Sequence, residues 1–529
     1  MQSMTDEANS AYATGPVQRV VIVGGGTSGW MTAAGLMRIL PPGVQVTLIE
    51  SDEIGIIGVG EATIPTLMTF NSFLGLDEDE FIRQTQATFK LGIEFVNWGA
   101  LGDSYVHPFG VHGHDTVEFK FHHLWLRLKQ EAARNPSLGD VGAMEDYSLC
   151  AVAARLGRFM RPQGGPDSIL SSTRYAFHFD ASLYGKFLRG YAEQKGAKRI
   201  EGMITSVQQR GEDGFIESVT LRDGRVIEGD LFVDCSGFRG LLIEQTLKAG
   251  FVDWSDYLPC DRAVAMPCEL SGPPTPYTRS TADVAGWRWR IPLQHRMGNG
   301  HVYCSDYIDD QEATDRLMAN LEGRPLADPR LIRFKAGHRR KLWVKNCVAI
   351  GLAGGFIEPL ESTSIHLVQM GMARLVSLFP DKSFNQADID EYNKISILEY
   401  EQLRDFIILH YKATERDDTA FWRHCRDMPI PDSLRHKMEL FRSKGRIYRF
   451  QDDTFTEDSW LAVMLGQRIT PRGYDPCVER IPLPDLAKNL GYLRAATRRA
   501  AEAMPTHQAF IDQNCSAVPP QPLRQAAAV

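Results

Sequence analysis

Residues 20–30, VVIVGGGTSGW, constrain the fold of this chain more than any other stretch. The apolar residues at the start predict a strand, and a helical pattern follows from Trp30. Between them, Gly24, Gly26 and Gly29 are spaced as G-x-G-x-x-G. The first permits a tight turn, the second lets the backbone approach a pyrophosphate, and the third lets helix and strand pack closely. The stretch therefore predicts a dinucleotide site.

The following residues support this prediction. Residues 44–50 read as a second strand that ends in Glu50, a carboxylate suited to hold a ribose hydroxyl. Thr27 and Ser28 stand at the predicted helix N-terminus, where unpaired N–H groups attract an anion. A glycine-rich structural loop is the alternative, but it leaves the order of strand, turn, helix, strand and acid unexplained. The predicted cofactor is FAD or NAD(P).

Composition limits the partners and the cellular compartment that can be expected for this chain. The chain has 529 residues, 66 of them acidic and 58 basic, so there is no basic field for nucleic acid or an anionic membrane, and neither is expected as a partner. The nine cysteines are odd in number and lack a C-x-x-C pair, which argues against a disulfide framework and for a reducing, cytoplasmic compartment. Residues 1–16 are polar, and no long apolar run occurs, so neither a targeting segment nor a membrane span is predicted.

The pattern along the chain gives further expectations. Residues 54–65 are too interrupted by glycine for regular structure and too apolar for a solvated loop, so they are expected to lie against other parts. The pattern over residues 81–89 predicts a helix that ends at Lys90, and the alternation in residues 91–98 predicts a strand.

Three histidines lie close together at His107, His112 and His114. A metal site would need Asp, Glu or Cys partners at ligand spacing, and these are missing. We therefore expect pocket-lining or hydrogen-bonded histidines and no metal.

The middle of the chain favours FAD over NAD(P). Asp180 is placed to cap a helix, and residues 199–228 read as short antiparallel strands. Residues 230–237 then form a buried strand that ends in Asp-x-Ser-Gly. A strand of this kind, separated from the glycine turn by an inserted region, is typical of flavoproteins rather than of a compact NAD(P) domain.

Two later stretches identify a family. Residues 287–292 read WRWRIP, and residues 350–365 read IGLAGGFIEPLESTSI. Together with the glycine turn, GVGEATIP around Glu61, and Lys90, they resemble the flavin-dependent tryptophan halogenase family over residues 20–511. The hexad and the lysine make the resemblance specific.

The resemblance implies an α/β, FAD-binding, Rossmann-like fold of the flavoprotein monooxygenase and halogenase type, with an inserted antiparallel sheet and a helical C-terminal region. The FAD module with its substrate-side sheet is expected over 17–380, and helices covering the substrate site over 381–511. Residues 1–16 and 512–529 are expected to be disordered. The sequence is compatible with a homodimer but does not decide the oligomeric state.

The resemblance also implies the chemistry. In that family FADH2 from a separate flavin reductase reacts with O2, halide is oxidised to hypohalous acid, and this travels to a small aromatic substrate. Carried over, Lys90 holds the halogen and Glu361 orients it or takes the arene proton. The implied cofactor residues are Gly24, Gly26, Thr27, Ser28, Gly29, Glu50, Gly60, Glu61, Ala62, Gly351 and Pro359. The implied halide residues are Thr363 and Ser364, and the implied substrate residues are His107, Pro108, Phe109, Ser362 and Trp460.

Each assignment has a plainer alternative. A lysine is usually a solvated charge, although the flanks of Lys90 are apolar. Glu361 resembles an ordinary acid at a helix N-terminus. The hexad is either core or a barrier that keeps substrate from the flavin. A flavin hydroxylase using NAD(P)H and a non-catalytic flavoprotein are the other function classes.

The substrate expectation rests on a departure from the family. Tryptophan-specific members close the pocket with paired tyrosines and a Phe-Trp pair, and residues 446–466 have neither pair. We therefore expect an open pocket for indole or a larger indole-bearing compound, with bromide as the easier halide. Ser364 stands where the family usually has glycine.

Overall fold

The structure is a computed structural model that describes residues 15–54, 60–165, 168–449 and 453–518. Its strands are β1 (Arg19–Val23), β2 (Gln45–Glu50), β3 (Gly60–Ala62), β4 (Thr88–Lys90), β5 (Gly92–Val96), β6 (Ser104–Pro108), β7 (Ala176–Asp180), β8 (Lys198–Glu201), β9 (Ile204–Gln209), β10 (Ile216–Leu221), β11 (Val226–Glu228), β12 (Leu231–Asp234), β13 (Phe251–Asp253), β14 (Arg262–Cys268), β15 (Thr278–Asp283), β16 (Gly286–Pro292), β17 (Met297–Tyr303), β18 (Arg330–Arg333), β19 (Gly337–Arg339), β20 (Trp343–Val344), β21 (Cys347–Ala349) and β22 (Gly355–Phe356). Its α-helices are α1 (Thr27–Ile39), α2 (Thr66–Leu74), α3 (Glu78–Thr85), α4 (Phe121–Arg134), α5 (Leu149–Arg155), α6 (Ala181–Gln194), α7 (Asp310–Ala319), α8 (Ser364–Ser377), α9 (Gln386–Lys412), α10 (Ala420–Asp427), α11 (Asp432–Lys444), α12 (Glu457–Gly466), α13 (Leu483–Ala503) and α14 (His507–Asn514).

A six-stranded sheet carries the glycine turn. Its order is β20-β21-β12-β1-β2-β8, parallel except for β20. The chain runs from β1 through the turn into α1 and back to β2, as the sequence predicts. The prediction of antiparallel strands holds for β9, β10 and β11 but is wrong for β8. Because α6 packs on α1, the chain leaving α6 reaches the free edge of β2 and pairs with it in parallel.

A seven-stranded sheet forms the inserted region. Its order is β18-β14-β17-β16-β15-β5-β6, and its pairs are antiparallel except β5 with β15. The hexad lies on β16, where side chains at alternate positions share a face. Trp287 and Trp289 are both buried, so the hexad presents two indole rings to the interior.

A small antiparallel sheet, β3-β7-β4, places Lys90. The predicted helix over residues 81–89 is wrong beyond Thr85, where α3 ends. Gln86 takes a left-handed conformation with φ of 56°, and the chain then pairs with β7 as β4. The physical reason is burial on both faces: Thr88, Phe89 and Lys90 are all fully buried, which a strand between two layers allows.

Helices α9 to α14 form the C-terminal region, and one apolar core runs through both parts of the chain, from Val17 to Cys515. The helical region extends past the predicted boundary at 511, since α14 ends at Asn514 and the Ala517 N–H donates to Gln294. Residues 1–14 and 519–529, where disorder was expected, lie outside the described residues. Across the described ranges, no helix has the length and apolar character needed to cross a membrane.

Candidate active site

The glycine turn opens onto a cavity of about 830 Å³, within the range of about 300–1,000 Å³ found for ligand pockets. Gly26 precedes α1, and no side chain caps the first N–H groups of that helix. A Cβ built on Gly26 would meet no atom within 4 Å, so the absent side chain leaves open space beside those N–H groups. This is the arrangement that a pyrophosphate requires. We call this space the dinucleotide cavity.

Most of the predicted cofactor residues lie on its wall. The wall includes Gly24, Gly26, Thr27, Ser28, Glu50, Gly60, Glu61, Ala62, Gly351 and Pro359, together with Trp287, Trp289, Ser362 and Ser364. Gly29 does not line the cavity. A Cβ at Gly29 would lie 1.8 Å from the Gly24 carbonyl oxygen, so Gly29 serves close packing of α1 on the turn.

Two carboxylates of the wall have different environments. Glu50 forms an ion pair with Arg199 and accepts a hydrogen bond from the Trp30 indole at 3.4 Å. Glu61, on β3, has no such partner within the described part of the chain, and burial raises its pKa to about 7. Glu50 is therefore held by a cation beside the cavity, whereas Glu61 is easily protonated there.

Lys90 is fully buried at the end of β4. Its Nζ donates to the Thr63 carbonyl oxygen at 3.0 Å and to Ser362 Oγ at 2.9 Å, and it lies 5.1 Å from the centre of the Phe109 ring. Burial lowers the pKa of Lys90 to about 7, although the nearby charge of Glu361 opposes the shift. The surface alternative for this lysine is wrong, because its neighbours on both sides are core residues.

Glu361 lies in a short 3-10 turn, Pro359–Glu361, just before α8, and it is also fully buried. Its carboxylate lies 2.9 Å from His107 Nδ1 and 2.8 Å from His410 Nε2. Burial alone would raise the pKa of Glu361, but His107 and His410 outweigh it and hold the pKa at about 2. The site thus contains a carboxylate that two histidines hold in its ionised form, near an amine whose pKa is lowered to about 7.

Aromatic rings surround the other side of His107. Phe406 and Phe455 stack at 3.8 Å, and both lie near the imidazole, with ring centres 5.7 and 6.2 Å from it. Trp460 packs edge-on against Phe406 at 4.9 Å, and Phe109 lies 6.5 Å from His107. His107 Nε2 is buried and has no hydrogen-bond partner among the described residues. The predicted substrate residues Pro108 and Ser362 complete this group, at the end of β6 and beside Lys90.

The predicted halide residues lie where α8 begins. Thr363 is the N-cap residue but makes no side-chain capping bond, and its buried Oγ1 has no partner among the described residues. Ser364 is the first helical residue and lines the dinucleotide cavity. The left-handed conformation of this loop falls on Ser362, with φ of 61°, so a serine at 364 fits without strain.

The family model described as tryptophan halogenase matches residues 19–483. The chain belongs to the tryptophan halogenase family. Tryptophan 6-halogenase ThaL of Streptomyces albogriseolus is 36% identical over 509 residues, which cover 89% of this chain and 92% of that protein.

Solved structures of halogenases agree. The flavin-dependent halogenase Xcc4156 of Xanthomonas campestris is 48% identical and has a TM-score of 0.91, covering 96% of this chain and 100% of that chain. BrvH, a flavin-dependent halogenase of Brevundimonas sp. BAL3, is 46% identical with a TM-score of 0.89, covering 94% and 99%. The predicted FAD-binding, Rossmann-like fold is confirmed, and the chain is a flavin-dependent halogenase, an oxidoreductase.

The residues of this halogenase fit FAD. The open space at Gly26 leaves room for a pyrophosphate, Glu50 lies at the end of β2, and Trp287 and Trp289 form other parts of the cavity wall. Thr27 Oγ1 donates to the Ala181 carbonyl oxygen, which fixes the start of α1 against α6. These contacts leave the turn preformed for the dinucleotide.

Sequence reasoning missed three residues of this halogenase site: Phe406, His410 and Phe455. Phe406 and His410 are one turn apart on α9, and that spacing was the only available signal. Their contact with Glu361 and His107 depends on how α9 packs across the chain, which periodicity does not reveal.

Proposed function

We propose that this halogenase uses reduced FAD from a separate flavin reductase, together with O2 and bromide or chloride, to halogenate a small electron-rich aromatic compound. When bound, reduced FAD supplies the two electrons with which O2 converts halide to hypohalous acid and water. The observation that carries the proposal is the fully buried Lys90, which binds Ser362 of the cavity wall and faces Phe109 on its other side. Family membership favours this function over hydroxylation.

Lys90 is suited to receive the halogen. Because its pKa is lowered to about 7, Lys90 is a neutral amine with a free lone pair in a large fraction of the molecules at neutral pH. The amine can form an N–X bond with hypohalous acid and release water, or the ammonium form can hold hypohalous acid by a hydrogen bond. Either way the electrophile is kept beside Phe109 and away from the cavity.

Glu361 is suited to assist the reaction at the aromatic ring of the substrate. Its carboxylate is ionised at neutral pH and lies near Lys90, so it stabilises the cationic ring formed when the halogen adds, and it can accept the proton that the ring then loses. His107 donates from Nδ1 to Glu361, which leaves Nε2 for the substrate edge.

The N-terminus of α8 is our proposed halide site. The support is the uncapped helix start, the buried and unpartnered Thr363 Oγ1, and Ser364 on the cavity wall. N–H groups and a hydroxyl at a positive helix end bind a small anion.

Indole, or a larger indole-bearing compound, is our proposed substrate. An amino-acid clamp would need a free carboxylate near the aromatic rings. Each carboxylate at positions 453–458 already has a basic side chain within 3.1 Å: Asp453 has Lys437, Glu457 has Lys120 and Asp458 has His112. Packing against the aromatic side chains then selects an indole ring as substrate, and the electron density of that ring selects the carbon that is halogenated.

Competition between indole and free tryptophan tests this. At equal concentrations, with reductase, bromide and limiting FADH2, mass spectrometry should show bromoindole in excess. Lys90→Met is the control, since product that it also makes comes from free hypohalous acid. A clear preference for tryptophan halogenated on its benzo ring would contradict the proposed substrate.

A further inference from the structure

Glu358 is a fully buried carboxylate that the proposed chemistry does not use. It precedes the 3-10 turn that ends at Glu361, and Ile357 and Pro359 on either side of it line the dinucleotide cavity. A buried acid is costly unless hydrogen bonds compensate for the water it has lost. Its partners therefore indicate its role.

One oxygen of Glu358 holds two separate elements. Oε2 accepts a hydrogen bond from Trp287 Nε1 at 3.0 Å and another from the Tyr411 hydroxyl. Trp287 is the first tryptophan of the hexad on β16 and lines the dinucleotide cavity. Tyr411 directly follows His410 on α9. Adjacent residues of α9 thus contact Glu358 and Glu361, so one helix fixes both ends of the turn.

The surroundings of Glu358 favour the neutral acid. No cation contacts it among the described residues, and the Tyr411 hydroxyl has a thiol, Cys260 Sγ, as its other neighbour at 3.5 Å. Burial raises the pKa of Glu358 to about 7, in contrast to Glu361, where two histidines lower it. Oε2 accepts twice, so the acid proton belongs on Oε1, which has no partner among the described residues.

We propose that Glu358 is a positioning residue that holds the Trp287 indole against the dinucleotide cavity, so that the oxidant formed there is directed to Lys90 instead of being lost. The inference rests on the proposed function and adds the residue that fixes the wall. The Glu358 bond is the one hydrogen bond that the described residues give to Trp287 Nε1. Without it the indole N–H would be buried and unpaired, which favours another rotamer and opens the wall.

The test compares substitutions that keep or remove the acceptor. Glu358→Gln keeps an oxygen for Trp287 and Tyr411 and is neutral, so it should give a ratio of halogenated product to FADH2 consumed close to that of the unchanged enzyme. Glu358→Leu removes the acceptor and should lower that ratio by about tenfold, the order expected for one lost hydrogen bond to a buried group, with more H2O2 released. If the leucine variant does not fold, Trp287→Phe serves instead, because its smaller ring cannot bond Glu358 and leaves part of the indole wall open, so the ratio should fall there as well.

A measurement without FAD separates this inference from the proposed function. The near-UV circular dichroism band that Trp287→Phe removes should persist in Glu358→Gln and be lost in Glu358→Leu. Tyr411→Phe, which leaves the Trp287 bond in place, should keep the band. A folded Glu358→Leu variant with the band and full coupling would overturn the inference, as would a glutamine variant as impaired as the leucine one. Absence of halogenated product from the unchanged enzyme, with the band behaving as expected, would contradict the proposed function alone.

Discussion

At the residue scale, Lys90 and Glu361 show how hydrogen-bond and ion-pair partners determine whether a buried side chain is charged. Both side chains are fully buried, so burial alone would make both neutral. Glu361 has two histidines within 3 Å and stays ionised, whereas the hydrogen bonds of Lys90 go to a carbonyl and a hydroxyl. The result is an amine available for halogen transfer beside a carboxylate that stays negative.

The buried lysine predicts a pH dependence of stability. Its pKa is about 7 in the folded protein against 10.5 for an ordinary lysine, so between these values the unfolded chain binds more protons and stability rises with pH. Relative to Lys90→Met, the unchanged protein should gain on the order of 1 kcal/mol per pH unit across that window. Urea unfolding of both proteins at several pH values measures it, with Lys488→Met, at an exposed position of α13, as control. A constant difference between Lys90→Met and the unchanged protein would contradict the lowered pKa.

Glu361→Gln should keep the shape of the site and lose its charge. We expect product formation to fall by about a hundredfold, the range for loss of a proton-accepting group, while FADH2 and O2 are still consumed. Stopped-flow oxidation of FADH2 and product analysis measure the two parts separately. If product formation stays at the original rate, Glu361 has no role in the arene step.

At the element scale, two glycines of one turn should respond differently. Gly26→Ala places a Cβ in open space of the cavity, with φ of −71° acceptable to alanine, so folding should be unaffected while FAD affinity falls about tenfold. Gly29→Ala drives a Cβ into the Gly24 carbonyl oxygen and should destabilise the apoprotein by about 1–3 kcal/mol. Thermal unfolding of the apoproteins and titration with FAD distinguish the two. Equal effects of both substitutions on both quantities would contradict these separate roles.

The sequence predicted elements whose signals are local. The glycine spacing gave β1, the turn, α1 and β2, and Asp180 caps α6 through the N–H groups of Ser182 and Leu183 as expected. The helix over 81–89 failed because β4 has only three residues, all of them buried, and so shows no alternation. β8 failed because its partner, β2, is about 150 residues away, and pairing direction over that distance is set by helix packing.

The candidate site was less predictable from the residues themselves. Lys90, His107 and Glu361 come from β4, β6 and a turn far along the chain, and only the family resemblance grouped them. Glu358 was visible in the motif but had no reason to be singled out, since its partners Trp287 and Tyr411 lie on distant elements. Residues brought together by tertiary packing are the part that sequence patterns leave undetermined.

At the scale of the whole molecule, two sheets and one long helix each supply a different part of the candidate site. The six-stranded sheet supplies the glycine turn, the seven-stranded sheet supplies the Trp287 wall, and α9 contacts the turn that carries Glu361. The small sheet places Lys90 beside Ser362, a residue of the cavity wall. One short segment, residues 357–364, therefore contacts both the dinucleotide cavity and Lys90, the two places to which the proposed function gives oxidant formation and halogen transfer.

The most direct test of this division is the ratio of halogenated indole to O2 consumed in Lys90→Met, measured with reductase, FAD and bromide under single-turnover conditions. O2 and FADH2 should be consumed at the original rate while enzyme-dependent product disappears, because Lys90 acts after the oxidant forms. Bromoindole at the level of the unchanged enzyme, or loss of FADH2 oxidation together with product, would contradict this role of Lys90.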